Sequence, residues 1–340
     1  MRLPRLLQLS LCLALSWGLC GCSREAGEAR SEAPPGQSAA LGGGSAAAPG
    51  SSAAGVARGE ISTGKQLVPS STASARAVDL APFPWLADSA LRARVKDDLE
   101  QRFEAPPGFA RADLQAGSFG AWLRRLPLEP PGTPVRSYAG GVIQPASSPF
   151  VAAVAALDVG EADLQQCADA VMRLHAEWRW SQGARDQSYR AASGLNLEFQ
   201  RWARGERLVA KGASLSWVPR ARAGSADHGA LRQFMDAVFA WTNTVALARQ
   251  AAPISYPGLR PGDFVVQGGN PGHAILILDL ARAADGRQVV LLGQSYMPAQ
   301  SFHVLKRAGS AWFPIAAEQP LQTPFWPRPF AWTELRRLDK

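Results

Sequence analysis

One thiol and a choice among four histidines decide what chemistry this chain can attempt. Its 340 residues hold 4 cysteines and 4 histidines. Cys12 and Cys20 fall in an apolar N-terminal run and Cys22 follows closely, so Cys167 is the thiol left to the rest of the chain. A cysteine acts as a nucleophile when its pKa is drawn below the ordinary value of about 8.5 and a base stands beside it. His175 lies eight residues along from Cys167, about 12 Å in a helix at 1.5 Å per residue, and is out of reach. His228 follows a polar loop at a helix start, and His303 opens a late strand beside apolar neighbours. His273 differs, because it follows a glycine turn and begins a strand. Gln294 closes the next apolar strand. Cys167 and His273 are therefore the candidate nucleophile and base of acyl transfer. Asp279 is excluded as orienter, six residues further along the histidine's own strand and so about 20 Å away. The alternative is a buried core cysteine, a structural histidine at a strand end and a satisfied glutamine.

The elements that must bring these residues together have periodic signatures. Glu161 to Trp180 reads as a helix with Leu164, Ala168, Val171, Leu174 and Trp178 along its buried stripe. Asp163 and Gln166 stand in capping-box spacing at its start. Cys167 then sits in the first turn, where the helix dipole favours a thiolate and the Cys167 N–H can donate to an oxyanion. Gln165 or Gln166 could add a donor there, and Asp169 suits the positive helix end. A second helix spans His228 to Arg249, capped by Asp227, with Leu231, Phe234, Val238, Trp241 and Val245 inward. Strand patterns follow over 264–267, 273–280, 288–294 and 302–306, joined by glycine-bearing turns, and they predict an antiparallel meander. Upstream, Leu91, Val95, Leu99 and Phe103 recur along a helix over 89–103. A shorter helix is predicted near 119–126, and strands near Val142 and over 151–159. Helices first and a meander later indicate an α+β fold with an N-terminal helical extension.

The N-terminus sets location. Arg2 and Arg5 precede an apolar run from Leu6 to Leu19, the order of a secretory signal. Leu19-Cys20-Gly21-Cys22 resembles the bacterial lipobox, which implies cleavage after residue 21, lipid on Cys22 and, with Ser23 next, an outer-membrane lipoprotein held in the bilayer. About three quarters of the residues from Ser23 to Glu60 are Ala, Gly, Ser or Pro, too few apolar groups to offset ordering entropy. Residues 22–78 thus read as a tether spanning about 35 to 45 Å, and 79–340 as one folded domain. The net charge of +8 is carried mostly by dispersed arginines, without the dense basic blocks of a nucleic-acid binder. No His, Cys, Asp and Glu grouping has zinc spacing and no Gly-rich loop precedes a helix, so neither metal nor nucleotide cofactor is expected. Trp178, Trp180, Trp202, Trp217 and Trp241 read as core residues, with a sugar-stacking groove as the alternative.

The phrase PGDFVVQGGNPGHAILILD resembles the strand-opening Gly-His pattern of papain-like cysteine peptidases, including NlpC-type cell-wall peptidases and CHAP-type amidases. That likeness implies a papain-like core, with the Cys167 helix packed on the meander and Gln294 orienting the His273 imidazole, and a cysteine hydrolase. Location and likeness, rather than residue chemistry, make peptidoglycan the implied substrate and partner. Four longer phrases resemble the bacterial family called domain of unknown function 4846: SFGAWLRRLPL from Ser118, DLQQCADAVMRLHAEW from Asp163, GDFVVQGGNPGHAILILDLA from Gly262, and GQSYMPAQSFHVLK from Gly293. The resemblance runs from about Gly108 to Leu338 and implies that Cys167, Asp169, Gly272, His273, Gln294, Tyr296 and Pro298 are hallmarks. Trp178-Arg179-Trp180 departs from the tyrosine-rich text it leads one to expect. Two functions follow: a cysteine-dependent amidase or peptidase acting on cell-wall peptide, with transferase chemistry sharing the same triad, or a non-catalytic envelope lipoprotein on the same fold.

Overall fold

Of the expected strands, 264–267 and 288–294 form with the expected bounds, 273–280 runs on to 283, 302–306 shortens to 303–305 and 151–159 ends at 154. The computed structural model describes residues 76–338, apart from Asp88, Ala213 and residues 221–223. They belong to the unit Ser71–Lys340, while Cys22 and the Ala/Gly/Ser/Pro-rich stretch after it lie outside the described residues. Nine strands make the main sheet: β1 (Phe109–Arg111), β2 (Val151–Val154), β3 (Ala252–Pro253), β4 (Phe264–Gln267), β5 (His273–Ala283), β6 (Gln288–Gln294), β7 (His303–Leu305), β8 (Trp312–Ile315) and β9 (Leu335–Arg337). The order is β3-β9-β4-β5-β6-β7-β2, with β1 also on β5 and β8 also on β6, and the named ladders are antiparallel. The chain is an α+β protein.

Strand β5 reads as a continuous apolar run because both of its faces are covered. Ala274, Leu276 and Leu278 pack into the larger core, which holds Ala168, Val171 and Leu174 of the Cys helix. Ile275 and Ile277 pack into a second core with Trp326 and Phe330. Asp279 interrupts the run at a bulge and is buried, where its carboxylate takes Arg111 and the Arg124 Nε at 2.8 Å. A charge inside the sheet is tolerable here because two guanidinium groups neutralise it.

The helices are α1 (Ser89–Ala93), α2 (Leu99–Arg102), α3 (Phe119–Leu123), α4 (Cys167–Ser181), α5 (Phe199–Ala203), α6 (His228–Trp241) and α7 (Thr244–Gln250). Two expected long helices are each broken. The stripe over 89–103 divides because Asp98 caps a new helix: its Oδ1 accepts the Gln101 N–H at 2.9 Å, and the Gln101 amide oxygen accepts the Asp98 N–H at 3.2 Å. Residues 97 and 98 leave the helix to pair with Leu128 and Pro127. The helix expected over 228–249 stops at Trp241, since Asn243 is extended and its side chain caps Ala246 at 2.9 Å. Trp241 is consequently exposed rather than inward. The stretch after α4 forms a small ribbon, Ser188–Arg190 with Asn196–Glu198. Among the described residues no helix is long and apolar enough to cross a membrane.

Helix α4 is buried on all sides from Cys167 to Trp178, so its polar residues need partners. Arg173, fully buried, donates to Glu177 at 2.8 Å, Asp158 at 2.7 Å and the Gln165 amide oxygen at 3.0 Å. Glu177 also meets the His228 ring at 2.8 Å. This network ties the segment preceding Cys167 to the helix that Cys167 opens.

Candidate active site

Cys167 is the first residue of α4, with Gln166 as N-cap. The helix starts six residues later than expected. Asp163 and Gln166 do meet, but side chain to side chain at 3.0 Å, and Asp163 also accepts the Ala299 N–H at 2.7 Å. Asp169 performs the capping instead, its Oδ2 accepting the Gln166 N–H at 3.1 Å and its Oδ1 facing the Thr242 hydroxyl at 3.4 Å. Burial raises the Asp169 carboxyl to about 7.

The thiol is 4% exposed and borders a cleft of about 350 Å³, whose walls include Asp169, Thr242, Thr244, the 269–272 turn and Met297. The backbone N–H groups of Ala274, Ala168 and Cys167 itself face the sulfur and stabilise a thiolate. Burial opposes them and wins, helped by the Asp169 charge, pushing the thiol up to about 11. The helix N-terminus therefore does not leave Cys167 ionised at rest, contrary to expectation from its position alone.

Gly272 delivers His273 because a side chain has no room there. A Cβ on Gly272 would lie 2.7 Å from the Gln267 carbonyl oxygen and 2.9 Å from the Gly269 nitrogen, and would overlap the Thr244 hydroxyl. His273 is fully buried opposite Gln267 at the β4–β5 turn. Its Nε2 lies 2.8 Å from the Gln294 Oε1, while its Nδ1 has no hydrogen-bond partner. Tyr296 meets the ring edge-on with centroids 4.9 Å apart, Trp326 lies at 5.0 Å, and Phe330 lies at 6.3 Å. Burial lowers the imidazole to about 4. The Tyr296 phenol donates to the Phe325 carbonyl at 3.1 Å, and its pKa is raised by burial and by the charge of a nearby Cys167 thiolate.

Residues far apart in sequence thus converge. His273 and Gln294 bond directly, Tyr296 packs on the ring, and Cys167 joins through the N–H of Ala274, the residue after the histidine. Thiol and imidazole are not hydrogen-bonded to each other. Gln165 is unavailable as an oxyanion donor, since its amide nitrogen donates to the Asp158 carbonyl at 3.0 Å and its oxygen serves Arg173. Gln166 is occupied by Asp163. The donors left are the backbone amides at the start of α4.

The other histidines are accounted for by packing, with one exception. His175 faces the Tyr189 hydroxyl at 3.2 Å, and His228 pairs with Glu177. His303, set aside in sequence as a strand opener, lies directly across from Gln294 in the β6–β7 ladder and touches its amide nitrogen at 3.4 Å. The antiparallel register was the signal, and it becomes visible once β7 is placed on β6. Trp178 belongs to the larger core, and Trp180, Trp202 and Trp217, partly buried, pack against it. Among the described residues no group of three or more His, Cys, Asp or Glu side chains is arranged to hold a metal ion.

Residues 99–337 match the family described as a domain of unknown function, number 4846. No curated protein and no solved structure matches the chain.

Proposed function

The chain belongs to the family of domain of unknown function 4846, and on that premise we propose that it is a cysteine-dependent amidase or peptidase with a papain-like core. The observation that carries this reading is the hydrogen bond from His273 Nε2 to Gln294 Oε1, which leaves a buried, partnerless Nδ1 one residue from the backbone amide that faces Cys167. A carbonyl oxygen accepts, so the imidazole proton resides on Nε2 and the Nδ1 lone pair is free to act as base. With the imidazole at about 4, that base is uncharged at neutral pH.

The reaction starts from a neutral pair. As substrate enters the cleft, Sγ attacks the scissile carbonyl carbon while its proton passes to Nδ1. The carbonyl π electrons move onto oxygen, and the amides at the start of α4 stabilise that charge. Collapse restores the carbonyl, breaks the C–N bond and gives the Nδ1 proton to the departing amine, leaving a thioester on Cys167. Water then attacks the thioester with Nδ1 taking its proton, and collapse returns the proton to sulfur and releases a carboxylic acid. An amine in place of water makes the same cycle a transfer.

The implied setting is the envelope. Lipid on Cys22 and the tether over 22–78 would hold a single domain, 79–340, at the outer membrane, within reach of cell-wall peptide. The second reading is a non-catalytic envelope binding or structural lipoprotein, and the burial of Cys167 with its raised pKa is the observation in its favour. Release of new amino groups from purified cell-wall peptides separates the two. The enzyme reading expects release by the detergent-solubilised full chain, none by Cys167→Ala, and a loss of about 10² to 10⁴-fold in His273→Ala. Equal release by Cys167→Ala refutes the cysteine mechanism, and no release by the wild type across cell-wall peptides favours the second.

A further inference from the structure

Resting on the catalytic reading of His273, the geometry points to His303 as a positioning residue that selects the tautomer of the base through Gln294. The chain of hydrogen bonds runs Ser301, His303, Gln294, His273. His303 Nδ1 lies 2.9 Å from the Ser301 carbonyl oxygen. A carbonyl cannot donate, so that nitrogen carries the His303 proton and His303 Nε2 is left with a lone pair. Gln294 presents its amide nitrogen to this lone pair at 3.4 Å. The Gln294 oxygen is thereby turned away from His303 and onto His273 Nε2 at 2.8 Å. An oxygen in that place demands a proton on His273 Nε2, and Nδ1 is left bare.

Every link has one consistent direction of donation. Reversing the amide would set the Gln294 oxygen against the His303 lone pair and its NH2 group against His273 Nε2. His273 would then move its proton to Nδ1, and the lone pair that must accept from the thiol would be gone. Gln294 alone cannot prevent this, because an amide presents either end to an imidazole equally well. The fixed point is a backbone carbonyl, held by the chain itself. His273, Gln294 and His303 are all buried, so water does not compete for these groups. Burial keeps His303 near 4, which preserves its lone pair at neutral pH.

The test uses the full chain with 15N-histidine, since only four histidines must be assigned. The two ring nitrogens of a neutral imidazole have different shifts according to which bears the proton. At neutral pH the expected pattern is a protonated Nε2 with bare Nδ1 for His273, and a protonated Nδ1 with bare Nε2 for His303. In His303→Leu the amide loses its lock, His273 populates both tautomers, and kcat falls to the fraction that keeps its proton on Nε2, about twofold at equal populations, with KM unchanged. His303→Gln, which restores an acceptor for the Gln294 amide, should recover both the tautomer and much of kcat. The wild-type spectrum overturns the proposal by itself if either histidine carries its proton on the other nitrogen, so a His303→Leu chain that does not fold leaves the test standing. An unchanged His273 tautomer in folded His303→Leu also overturns it. A scrambled tautomer in a protein that cleaves no amide would refute the catalytic reading while leaving the relay intact. Cysteine-dependent cleavage with a tautomer indifferent to residue 303 would do the reverse.

Discussion

Desolvation acts on both members of the Cys167–His273 pair and keeps both uncharged, the thiol near 11 and the imidazole near 4. An ion pair formed in advance would show the opposite, a lowered thiol and a raised imidazole. On the proposed mechanism, cleavage depends on His273 being unprotonated, and protonation of the free protein removes the base. The acid limb of kcat/KM should fall near pH 4, well below the ordinary histidine value of about 6.5. A limb centred at 6.5 or higher would show His273 to be solvated or absent from the reaction. The position of Cys167 at a helix start was legible in sequence, but its ionisation was not. Burial depends on the residues packed around the sulfur, and no local motif reports them.

At the scale of elements, the site stands on a turn without room and a helix without exposed polar groups. Gly272→Ala would force Cβ against the backbone at Gln267 and Gly269, so the β4–β5 turn must move and His273 with it. A displacement of this kind should lower kcat by about 10²-fold, measured beside a thermal melt that shows the chain still folded. Unchanged turnover would separate the turn from the chemistry. Arg173→Met should cost about 3 to 5 kcal/mol in urea unfolding, because Glu177 and Asp158 lose the guanidinium between them. A loss under about 1 kcal/mol would mean that His228 and Arg232 suffice for those carboxylates. The strands β4 and β6 are legible to the residue because a glycine-bearing turn ends the first and another precedes the second. The helices over 89–103 and 228–249 were read too long, because Asp98 and Asn243 act as caps inside unbroken apolar stripes. A cap competes with helix continuation, and tertiary pairing such as that of residues 97 and 98 decides the outcome. His303 was missed for a related reason: its meaning comes from register across β6 and β7.

For the whole molecule, buried ionisable groups set a pH dependence with two signs. His273 and His303 have folded values near 4, so between about 6.5 and 4 the unfolded chain binds protons that the folded chain refuses. Their stabilisation is present above about 6.5 and is lost as pH falls through that window. Asp169, raised to about 7, works oppositely: its contribution is present below about 4 and is lost as pH rises through 7. Burial raises Asp98, Glu129 and Asp263 in the same sense as Asp169, so the net slope is a sum and a single group is read by its own substitution. In denaturant midpoints between pH 7 and 4.5, Asp169→Asn should lose more stability on acidification than the wild type. The same acid dependence in both would contradict the burial assigned to Asp169. At the other end of the chain, Cys22→Ser should move the protein from the membrane fraction to the soluble one. Retention of that variant with the membrane would contradict lipid anchoring through Cys22.

The central claim is that Cys167 becomes acylated during amide cleavage, and intact mass of the acid-quenched protein reads this directly. After brief incubation of the solubilised full chain with cell-wall peptide, a species heavier by the acyl fragment should form and map to Cys167 on digestion. It should be absent from Cys167→Ala and form more slowly in His273→Ala. Peptide cleavage that persists in Cys167→Ala, or a wild-type protein that neither cleaves nor gains mass with any cell-wall peptide, would contradict the account.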